Sequence, residues 1–425
     1  MSFDLDLPRP AFAGASPGSP TTVVPTERAT RQQPSLRRFL LLQGLAQGAD
    51  AAVTLTLAQV VVFSLERGAT PATVVRALAM TAGPYLAALP VAGLVSDRWA
   101  RHRTLAAAQL TRALIALAAI GVPLSRNATA GYIVLMAVMA SAGLTSSVRS
   151  AALPHVVRPE RLIEANSWSS ITGKVAGTLS VGIALAVGRA HPLPTLMLAA
   201  IAHLVAGLRF ASWNGDLGGG APRSTAGGFH DIARRALSLV TADPLRRPVL
   251  TSLAQRALQG AAVMIFVILA ETRLHLGASG YATALGATAV GTLLGSTVVP
   301  ALLRRHDCEW LDHATWVASA VGLLLAAAFL STITGVVALV VVGATFQSAR
   351  LVADSAVQLA VVDDALGRVY SLYDSWYHVA MLAGALGAFM LPGQRSVASF
   401  LVLGGLFTAF GIFRHVCSTT QGATN

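Results

Sequence analysis

Charged residues are scarce in this chain. Only 12% of its 425 residues are Asp, Glu, Lys or Arg, against roughly 25% in soluble domains. Hydrophobic residues make up 54% of the chain, so the charge that is present could not cover a surface facing water. This shortage excludes an ordinary soluble domain and predicts that lipid is the solvent for most of the chain.

Lysine and cysteine are nearly missing as well. Lys174 is the single lysine, so the net charge of +12 comes from arginines that are scattered between apolar runs. Because these arginines form no basic patch and no nucleic-acid-binding motif is present, no nucleic-acid partner is expected. Cys308 and Cys417 are the only cysteines, and they lack the spacing of metal ligands. Neither a disulfide framework, a metal site nor a cofactor is predicted.

Catalytic motifs are also absent. No Walker motif and no H-E-x-x-H sequence occurs, so ATP hydrolysis by this chain is not expected. The ten histidines are dispersed along the chain, as His155, His203, His313 and His378 illustrate. An intramembrane enzyme, which needs a nucleophile–base pair or a metal cluster at membrane depth, is therefore the less favoured alternative. A channel is disfavoured because no loop repeats a segment resembling a selectivity filter.

Apolar windows of the length that crosses a bilayer, about 20 residues, occur twelve times. They fall near 39–63, 72–95, 104–124, 131–153, 167–188, 193–213, 249–271, 281–303, 313–331, 335–360, 371–392 and 397–414. The predicted fold class is therefore an all-α integral membrane protein with twelve transmembrane helices.

Arginine positions predict the orientation. With the N-terminus inside, 20 arginines fall in inner segments and 6 in outer ones, while the other 5 basic residues lie within helices. The positive-inside rule then places both termini in the cytoplasm and the chain in the plasma (inner) membrane as a multi-pass protein. The predicted divisions are a disordered tail at 1–36, a six-helix bundle at 37–213, a cytoplasmic linker with an amphipathic helix at 214–248, a second six-helix bundle at 249–415 and a tail at 416–425.

The loop after the second window carries a distinctive motif, Gly93-Leu-Val-Ser-Asp97-Arg98-Trp-Ala-Arg101-His-Arg103. Glycine at position 93 permits a close helix approach, and Asp97 ends a helix, where the helix dipole disfavours negative charge. A buried carboxylate there needs compensation from arginines or from the N-terminus of another helix. The motif resembles the loop signature of the major facilitator superfamily, in which it latches two six-helix bundles together on the cytoplasmic side.

Further segments resemble the macrolide-efflux and enterobactin-exporter branch of that superfamily. They include Ala49-Asp50, Gln109 to Arg112, Arg149 to Pro154, Asp354 to Gln358, and Gly367-Arg368-Val369-Tyr370-Ser371. The resemblance implies two bundles around a central cavity, alternating access and a monomer. The fifth window departs from the drug-antiporter element Gly-Pro-x-x-Gly-Gly, because it reads Gly177-Thr178-Leu-Ser-Val181-Gly182. Proton coupling is less secure than the fold for that reason.

Ionisable residues at membrane depth are costly and are treated as functional candidates. Gln43, Gln47 and Asp50 share one face of the first helix, and Asp50 lies about 17 Å along it at 1.5 Å per residue. Asp50 either binds a proton or cationic substrate, or is a protonated or arginine-paired residue that holds helices together. The predicted path for substrate or proton comprises Gln43, Gln47, Asp50, Arg149, Gln255, Arg256, Gln259, Asp354 and Gln358.

The second group of candidates is a conformational latch. It comprises Gly93, Asp97, Arg98, Arg101, Arg103, Arg350, Arg368 and Asp374, with Asp374 placed to meet the Asp97 loop. Arg350 and Asp354 either neutralise each other at four-residue spacing, or Asp354 pairs with Arg149 as a gate between the halves. Arg112 and Lys174 lie within snorkelling reach of the inner surface. A packing or anchoring role is favoured for them over contact with the substrate.

These features predict a secondary transporter that exports an amphipathic small molecule, such as a drug, antibiotic or siderophore-like compound, with a proton as candidate coupling ion. Inward transport of lipids or metabolites on the same fold is the alternative. The expected partners are a small-molecule substrate and the lipid bilayer. The identity of the substrate cannot be read from the sequence, because one fold serves many functions.

Overall fold

Twelve long helices account for most of the described chain. The computed structural model describes residues 36–58, 71–125, 127–188, 192–220, 234, 237–238, 245–274, 278–329, 331–361, 363–390 and 398–422. The helices are α1 Leu36–Ala58, α2 Pro71–Arg98, α3 Arg101–Ala119, α4 Ala128–Ala152, α5 Leu162–Gly188, α6 Pro192–Ala211, α7 Arg246–Thr272, α8 Ala278–Leu302, α9 Cys308–Ala328, α10 Thr332–Ala360, α11 Asp363–Met390 and α12 Ala398–Gly422. The predicted all-α architecture with twelve helices is confirmed, and no strand occurs within these ranges.

Six of the described helical segments meet a combined test of length and hydropathy for crossing a membrane. They are Arg101–Ser125, Ala128–His155, Pro192–Ala211, Arg246–Ala270, Cys308–Ala328 and Thr332–Ala360. Many large apolar side chains point outward from the bundle, such as Leu41, Leu114 and Ile333. A surface of this kind suits hydrocarbon rather than water.

Polar caps mark the starts of several helices. Asn127 accepts a hydrogen bond from the amide of Ala130 at the start of α4, and Asp307 does the same for Trp310 at the start of α9. Ser331 and Thr334 form a capping box before α10. Caps of this kind satisfy amide groups that the first helical turn leaves unpaired, which explains why these helices begin where they do.

The helices pack as two groups with a defined interface between them. In the first half, α1 packs on α5 and α6, α2 on α4, and α3 on α6; in the second half, α7 packs on α10 and α11, α8 on α10, and α9 on α12. The halves meet along the pairs α2–α11, α4–α11, α5–α8 and α5–α10. Each half has its own apolar core, so the interface between them is free to carry polar contacts.

One end of the bundle can be defined by the residues that cluster there. The end of α2 at Asp97 lies beside the start of α11, and the end of α4 packs with the starts of α7 and α11. The start of α1, the end of α6 and the residues that follow it share another cluster. We call this end the Asp97 face, and the other end the opposite face.

Glycines allow α7 and α11 to approach backbone to backbone. A Cβ at Gly384 would lie 1.7 Å from the carbonyl oxygen of Ala257, and one at Gly260 would lie 2.2 Å from that of Met381. Because these neighbours are main-chain atoms, the helices themselves would have to separate. Small residues at such crossings are typical of membrane helix packing.

Gly384→Ala is therefore expected to lower the melting temperature of the purified protein in lipid nanodiscs, since overpacking costs about 1–3 kcal/mol. Gly387→Ala is the matched control on the same helix, because a Cβ there meets no atom within 4 Å. The melting temperatures of both variants are measured by intrinsic fluorescence during heating. Equal melting temperatures for the two would contradict the close crossing.

Several predictions fall on residues that are not described. The tail at 1–36 lies outside the described residues except for Leu36, which begins α1. The amphipathic linker helix also lies outside them, apart from Arg234, Leu237 and Ser238, which are helical. The exact boundaries of the two bundles and of the linker stay predictions.

Candidate functional site

Asp97 joins the two halves at the Asp97 face. Its side chain is only 6% exposed. One carboxylate oxygen accepts a hydrogen bond from the amide of Gly367 at 2.8 Å; the other accepts from the amide of Arg368 at 3.2 Å and from its Nε at 2.8 Å. An arginine and amides near the start of α11 therefore compensate the buried charge, as the motif predicted.

Glycine is required on both sides of this contact. A Cβ at Gly93 would lie 2.9 Å from the Cα of Arg368, and a Cβ at Gly367 would lie 2.6 Å from a carboxylate oxygen of Asp97. Ser147 adds a hydrogen bond to the carbonyl oxygen of Gly367 at 2.8 Å, and Ser371 donates to the carbonyl oxygen of Leu89. The crossing of α2 and α11 is thus tight at the point where the ion pair forms.

Asp363, at the start of α11, forms a second bridge. Its carboxylate accepts from Arg101 at 2.7 Å and lies 2.8 Å from Nε2 of His155. The buried Arg101 side chain also donates to the carbonyl oxygen of Ala151 at 2.9 Å. Arg101 was a predicted latch residue, whereas Asp363 and His155 were not among the candidates.

The chain after α6 inserts into this bridge. The carbonyl oxygen of Gly218 accepts from the amide of Arg101 at 3.1 Å, and the amide of Gly220 donates to the carbonyl oxygen of Asp97 at 3.2 Å. The amide of Gly219 points to the carboxylate of Asp363 at 3.4 Å. We call residues 217–220 the linker wedge. Leu217, which opens it, is fully buried, so the wedge is anchored in the first half.

The remaining latch predictions have mixed outcomes. Arg98 and Arg103 are exposed, and neither side chain makes a hydrogen bond or ion pair with the described residues. The placement of Asp374 at the Asp97 loop is wrong in this structure: it pairs with Arg350 at 3.0 Å and accepts from Tyr85 at 2.8 Å. The reason is helix geometry, because Asp374 lies three turns along α11 from its start.

The pair α5–α10 supplies a third set of contacts between the halves. Asn166 donates to Gln358 at 2.6 Å and to Ser355 at 3.0 Å, and Gln358 donates to the carbonyl oxygen of Ser150 at 3.1 Å. Gln358 therefore lies in the interface between the halves, and its predicted place on the path stays a prediction. Lys174 bonds to Ser170 and lies 3.3 Å from Gln347, which fits the packing role rather than an anchor at the surface.

A cavity of about 200 Å³ opens within the first half. Its wall combines the polar face of α1 with side chains from α2, α3, α4 and α6. The lining residues are Phe39, Gln43, Ala46, Gln47, Asp50, Tyr85, Leu105, Gln109, Arg112, Ala142, Thr145, Ser146, Arg149 and Phe210. Gln43, Gln47, Asp50 and Arg149 from the predicted path are thereby brought together around one space.

Asp50 is paired inside this cavity. Its carboxylate accepts a hydrogen bond from Arg112 at 2.7 Å and lies 3.4 Å from Nε2 of His203. Nδ1 of His203 lies 2.8 Å from the side-chain oxygen of Gln109, and Arg112 also donates to Ser141 at 3.1 Å. Arg112 is only 4% exposed and is bonded to the mid-helix carboxylate, which fits the predicted packing role rather than an anchor at the surface.

The charged residues of α10 and α11 form a separate cluster. Arg350 pairs with Asp354 at 2.9 Å and with Asp374 at 3.0 Å. Its guanidinium also stacks over the ring of Tyr377 at 3.9 Å. The same-helix alternative for Arg350 and Asp354 is thus the one present, and no ion pair joins Arg149 to Asp354 in the part of the chain that is described.

Arg256 and its neighbours lie away from the cavity in this conformation. Arg256 donates to Gln259 at 2.6 Å and lies over the ring of Tyr377 at 4.5 Å. Gln255 and Gln259 are buried. Their predicted role as a polar wall for the substrate stays a prediction.

Breaking the Asp50–Arg112 pair from one side is expected to destabilise the protein. Arg112→Leu leaves a buried carboxylate without its partner, which costs about 3–5 kcal/mol. The double variant Asp50→Asn/Arg112→Leu removes both charges and should recover much of the loss in melting temperature. Arg161→Leu is the control, because it breaks an exposed arginine–glutamate pair whose contribution is below about 1 kcal/mol. A double variant no more stable than Arg112→Leu would contradict the pairing.

Twelve helices in two halves, a carboxylate latch between the halves and a polar cavity at mid-helix define a multi-pass membrane transporter. The chain belongs to the Major Facilitator Superfamily, whose family model matches residues 40–385. It is a transporter of this superfamily rather than an enzyme.

Relatives and solved structures agree with that assignment. The chain is 28% identical to an uncharacterized MFS-type transporter of Mycobacterium tuberculosis, with 93% of each chain covered. Its fold is similar to that of the human organic anion transporter MFSD10, with a TM-score of 0.70 at 15% identity, covering 90% of this chain and 100% of that one. The superfamily transporter FucP in its outward conformation gives a TM-score of 0.64 at 16% identity, covering 89% and 98%.

Proposed function

We propose that this transporter exports an amphipathic small molecule by alternating access, with export coupled to protons through Asp50. The observation that carries the proposal is a set of contacts that joins the halves at one end, together with a polar cavity that reaches the middle of α1. The ion pairs and hydrogen bonds of Asp97 and Asp363 join the halves at the Asp97 face, while a polar cavity lies at the depth of Asp50. Alternating access needs a gate that can open and a site that stays in place.

The arginine distribution supports a cytoplasmic Asp97 face. Arg98, Arg103, Arg158 and Arg304 all lie in exposed segments near the ends of helices that meet at this face. The positive-inside rule then places both termini on the cytoplasmic side of the plasma membrane. In that orientation, the conformation described here is closed toward the cytoplasm.

The Asp50–Arg112 pair supports coupling to protons. Protonation of Asp50 would remove the negative charge that faces Arg112 at 2.7 Å, so the attraction between α1 and α3 would fall. Because Asp50 lies on the cavity wall, a proton can reach it from the same space that holds the substrate. Substrate and proton would then compete for one pocket, as exchange in opposite directions requires.

The test has two arms. Cells with and without the chain are challenged with a broad panel of toxic amphipathic compounds, and purified protein in liposomes is assayed for proton movement that depends on a compound from that panel. The proposal predicts raised tolerance and coupled proton flux, both lost in Asp50→Asn. Unchanged tolerance across the panel would contradict export, and transport that persists in Asp50→Asn would contradict coupling through this residue.

A further inference from the structure

Arg149 is a cation on the cavity wall whose side chain makes no hydrogen bond or ion pair with the described residues. It lies in the last turn of α4, beside Ser146 and Thr145, and the three side chains line the cavity together. Its charge interacts at longer range with Asp374 and Asp50. A charged side chain without a close partner inside a membrane-spanning helix is costly unless another group compensates its charge. The group that compensates the charge of Arg149 must therefore be found among its neighbours or in a ligand.

The carboxylates within reach are already occupied. Asp50 is held by Arg112 at 2.7 Å, and Asp374 is held by Arg350 at 3.0 Å and by Tyr85 at 2.8 Å. Asp354 is bonded to Arg350 at 2.9 Å. None of the described carboxylates is therefore available to Arg149 without breaking a pair that exists.

Positive charge is also in excess on the cavity wall. The charged residues that line it are Arg112, Arg149 and Asp50. Two cations against one anion leave a net charge of +1. An anion bound in the cavity would reduce this excess and lower the energy of the loaded state.

Hydrogen-bond donors on the wall point to the same ligand. Nη2 of Arg112 is buried without a hydrogen-bond partner, and the amide nitrogen of Gln47 makes no hydrogen bond with the described residues, although its oxygen accepts from Gln43. The unpaired acceptor is Oδ1 of Asp50, with Nε2 of His203 3.4 Å away. Gln47, Arg112 and Arg149, from α1, α3 and α4, thus line one space. Phe39 and Phe210 add apolar surface to the same wall.

We infer that the substrate is an amphipathic organic anion whose carboxylate, sulfonate or phosphate group binds Arg149, with Gln47 and Arg112 as further donors. This rests on the proposed transport function and adds the chemical class of the substrate. Arginine suits planar, multi-oxygen anions because it donates several hydrogen bonds in a fixed geometry.

Binding to the full-length protein in nanodiscs tests the inference. The probes are 2-naphthoate, naphthalene-2-sulfonate and 2-naphthyl phosphate, compared with 2-naphthyltrimethylammonium, which has a similar ring and the opposite charge. Isothermal titration calorimetry at one fixed ionic strength measures the affinity of each probe. At least one anion should bind about tenfold more tightly than the cation.

Variants separate recognition from folding. Arg149→Gln should weaken binding of that anion by about tenfold or more and leave the cation unaffected, while Arg149→Lys should keep most of the preference for the anion. Arg161→Gln, an exposed arginine outside the cavity, should match the wild type. Tighter binding of the cation, unchanged binding in Arg149→Gln, or no binding of any of the three anions by a protein with wild-type melting temperature would overturn the inference.

The binding assay does not depend on transport, so the two proposals can fail separately. Anion binding that depends on Arg149, together with unchanged tolerance to the toxic panel, would support the anion site and contradict the export function. Export without any preference for the anions would support the export function and contradict the anion site.

Discussion

Asp97→Asn is expected to open the Asp97 face and to reduce transport by about tenfold or more, since hydrogen bonds to charged groups contribute about 1.5–3 kcal/mol. Asparagine can accept from only one of the two partners, and its amino group would face either the amide of Gly367 or the guanidinium of Arg368. Both are donors within 3.2 Å of the present carboxylate. The closed state loses an ion pair and gains a donor–donor conflict, whereas the open state loses nothing.

Spin labels at Trp99 and Leu359 measure this opening. The two side chains are exposed on different halves near the Asp97 face, and Cys308→Ser/Cys417→Ser provides a background free of native cysteine. Double electron–electron resonance should show a longer distance in Asp97→Asn. Glu160→Gln is the control, because it removes an exposed carboxylate in the loop after α4 that makes no bond across the interface. Identical distance distributions in Asp97→Asn and the control would count against the latch.

Gly219→Ala is expected to shift the same equilibrium through the linker wedge. Gly219 has φ +79°, and a Cβ there would lie 2.4 Å from the carbonyl oxygen of Trp99 and 2.9 Å from that of Ser96. These are main-chain atoms at the end of α2 and in the turn that follows it, so the wedge must leave its place or push this turn away from Asp363. Either movement should lengthen the distance between the labels and reduce transport by about tenfold, or 1.4 kcal/mol.

Gly220→Ala is a closely matched control for this variant. Gly220 has φ +76°, so both alanines bear the same backbone strain of about 1–2 kcal/mol. A Cβ at Gly220, however, lies no nearer than 3.6 Å to another residue, Ala100. A larger effect of Gly219→Ala than of Gly220→Ala isolates the steric contact with the end of α2 and the turn that follows it. Equal effects would mean that only local strain matters and that the wedge takes no part in closure.

Much of the latch could be predicted from the sequence because it depends on residues that lie close together in the chain. Asp97 ends a helix within a run of arginines, and a carboxylate in that position needs a donor from elsewhere. Arg368 was among the latch candidates. Asp363 and the linker wedge were missed because their contacts depend on how the end of α6 returns to the start of α11, a long-range geometry that no periodicity encodes.

The partner of Asp50 was missed for a different reason. Arg112 lies 11 residues after Arg101 on α3, within snorkelling reach of a helix end. Its real role follows from the rotation of α3, which turns Gln109 and Arg112 toward α1 and α6. These two residues are three apart on one helical face, and His203 is an isolated histidine in an apolar helix. That combination was the available signal.

The pairing of Arg350 shows where sequence spacing is sufficient. Four-residue spacing predicted its contact with Asp354, which is present at 2.9 Å. The second contact, with Asp374, joins α10 to α11 and could not be derived from spacing. Since one arginine serves both carboxylates, Arg149 is left to face the cavity, and this is the feature on which the anion inference depends.

Distances measured at both ends of one molecule test alternating access most directly. Labels at Thr129 and Ile333 report on the opposite face, at the beginnings of α4 and α10, where both side chains are exposed. Labels at Trp99 and Leu359 report on the Asp97 face. In nanodiscs, Asp97→Asn should lengthen the second distance and shorten the first. Two distances that lengthen together, or an opposite face that does not move when the Asp97 face opens, would contradict the two-state account.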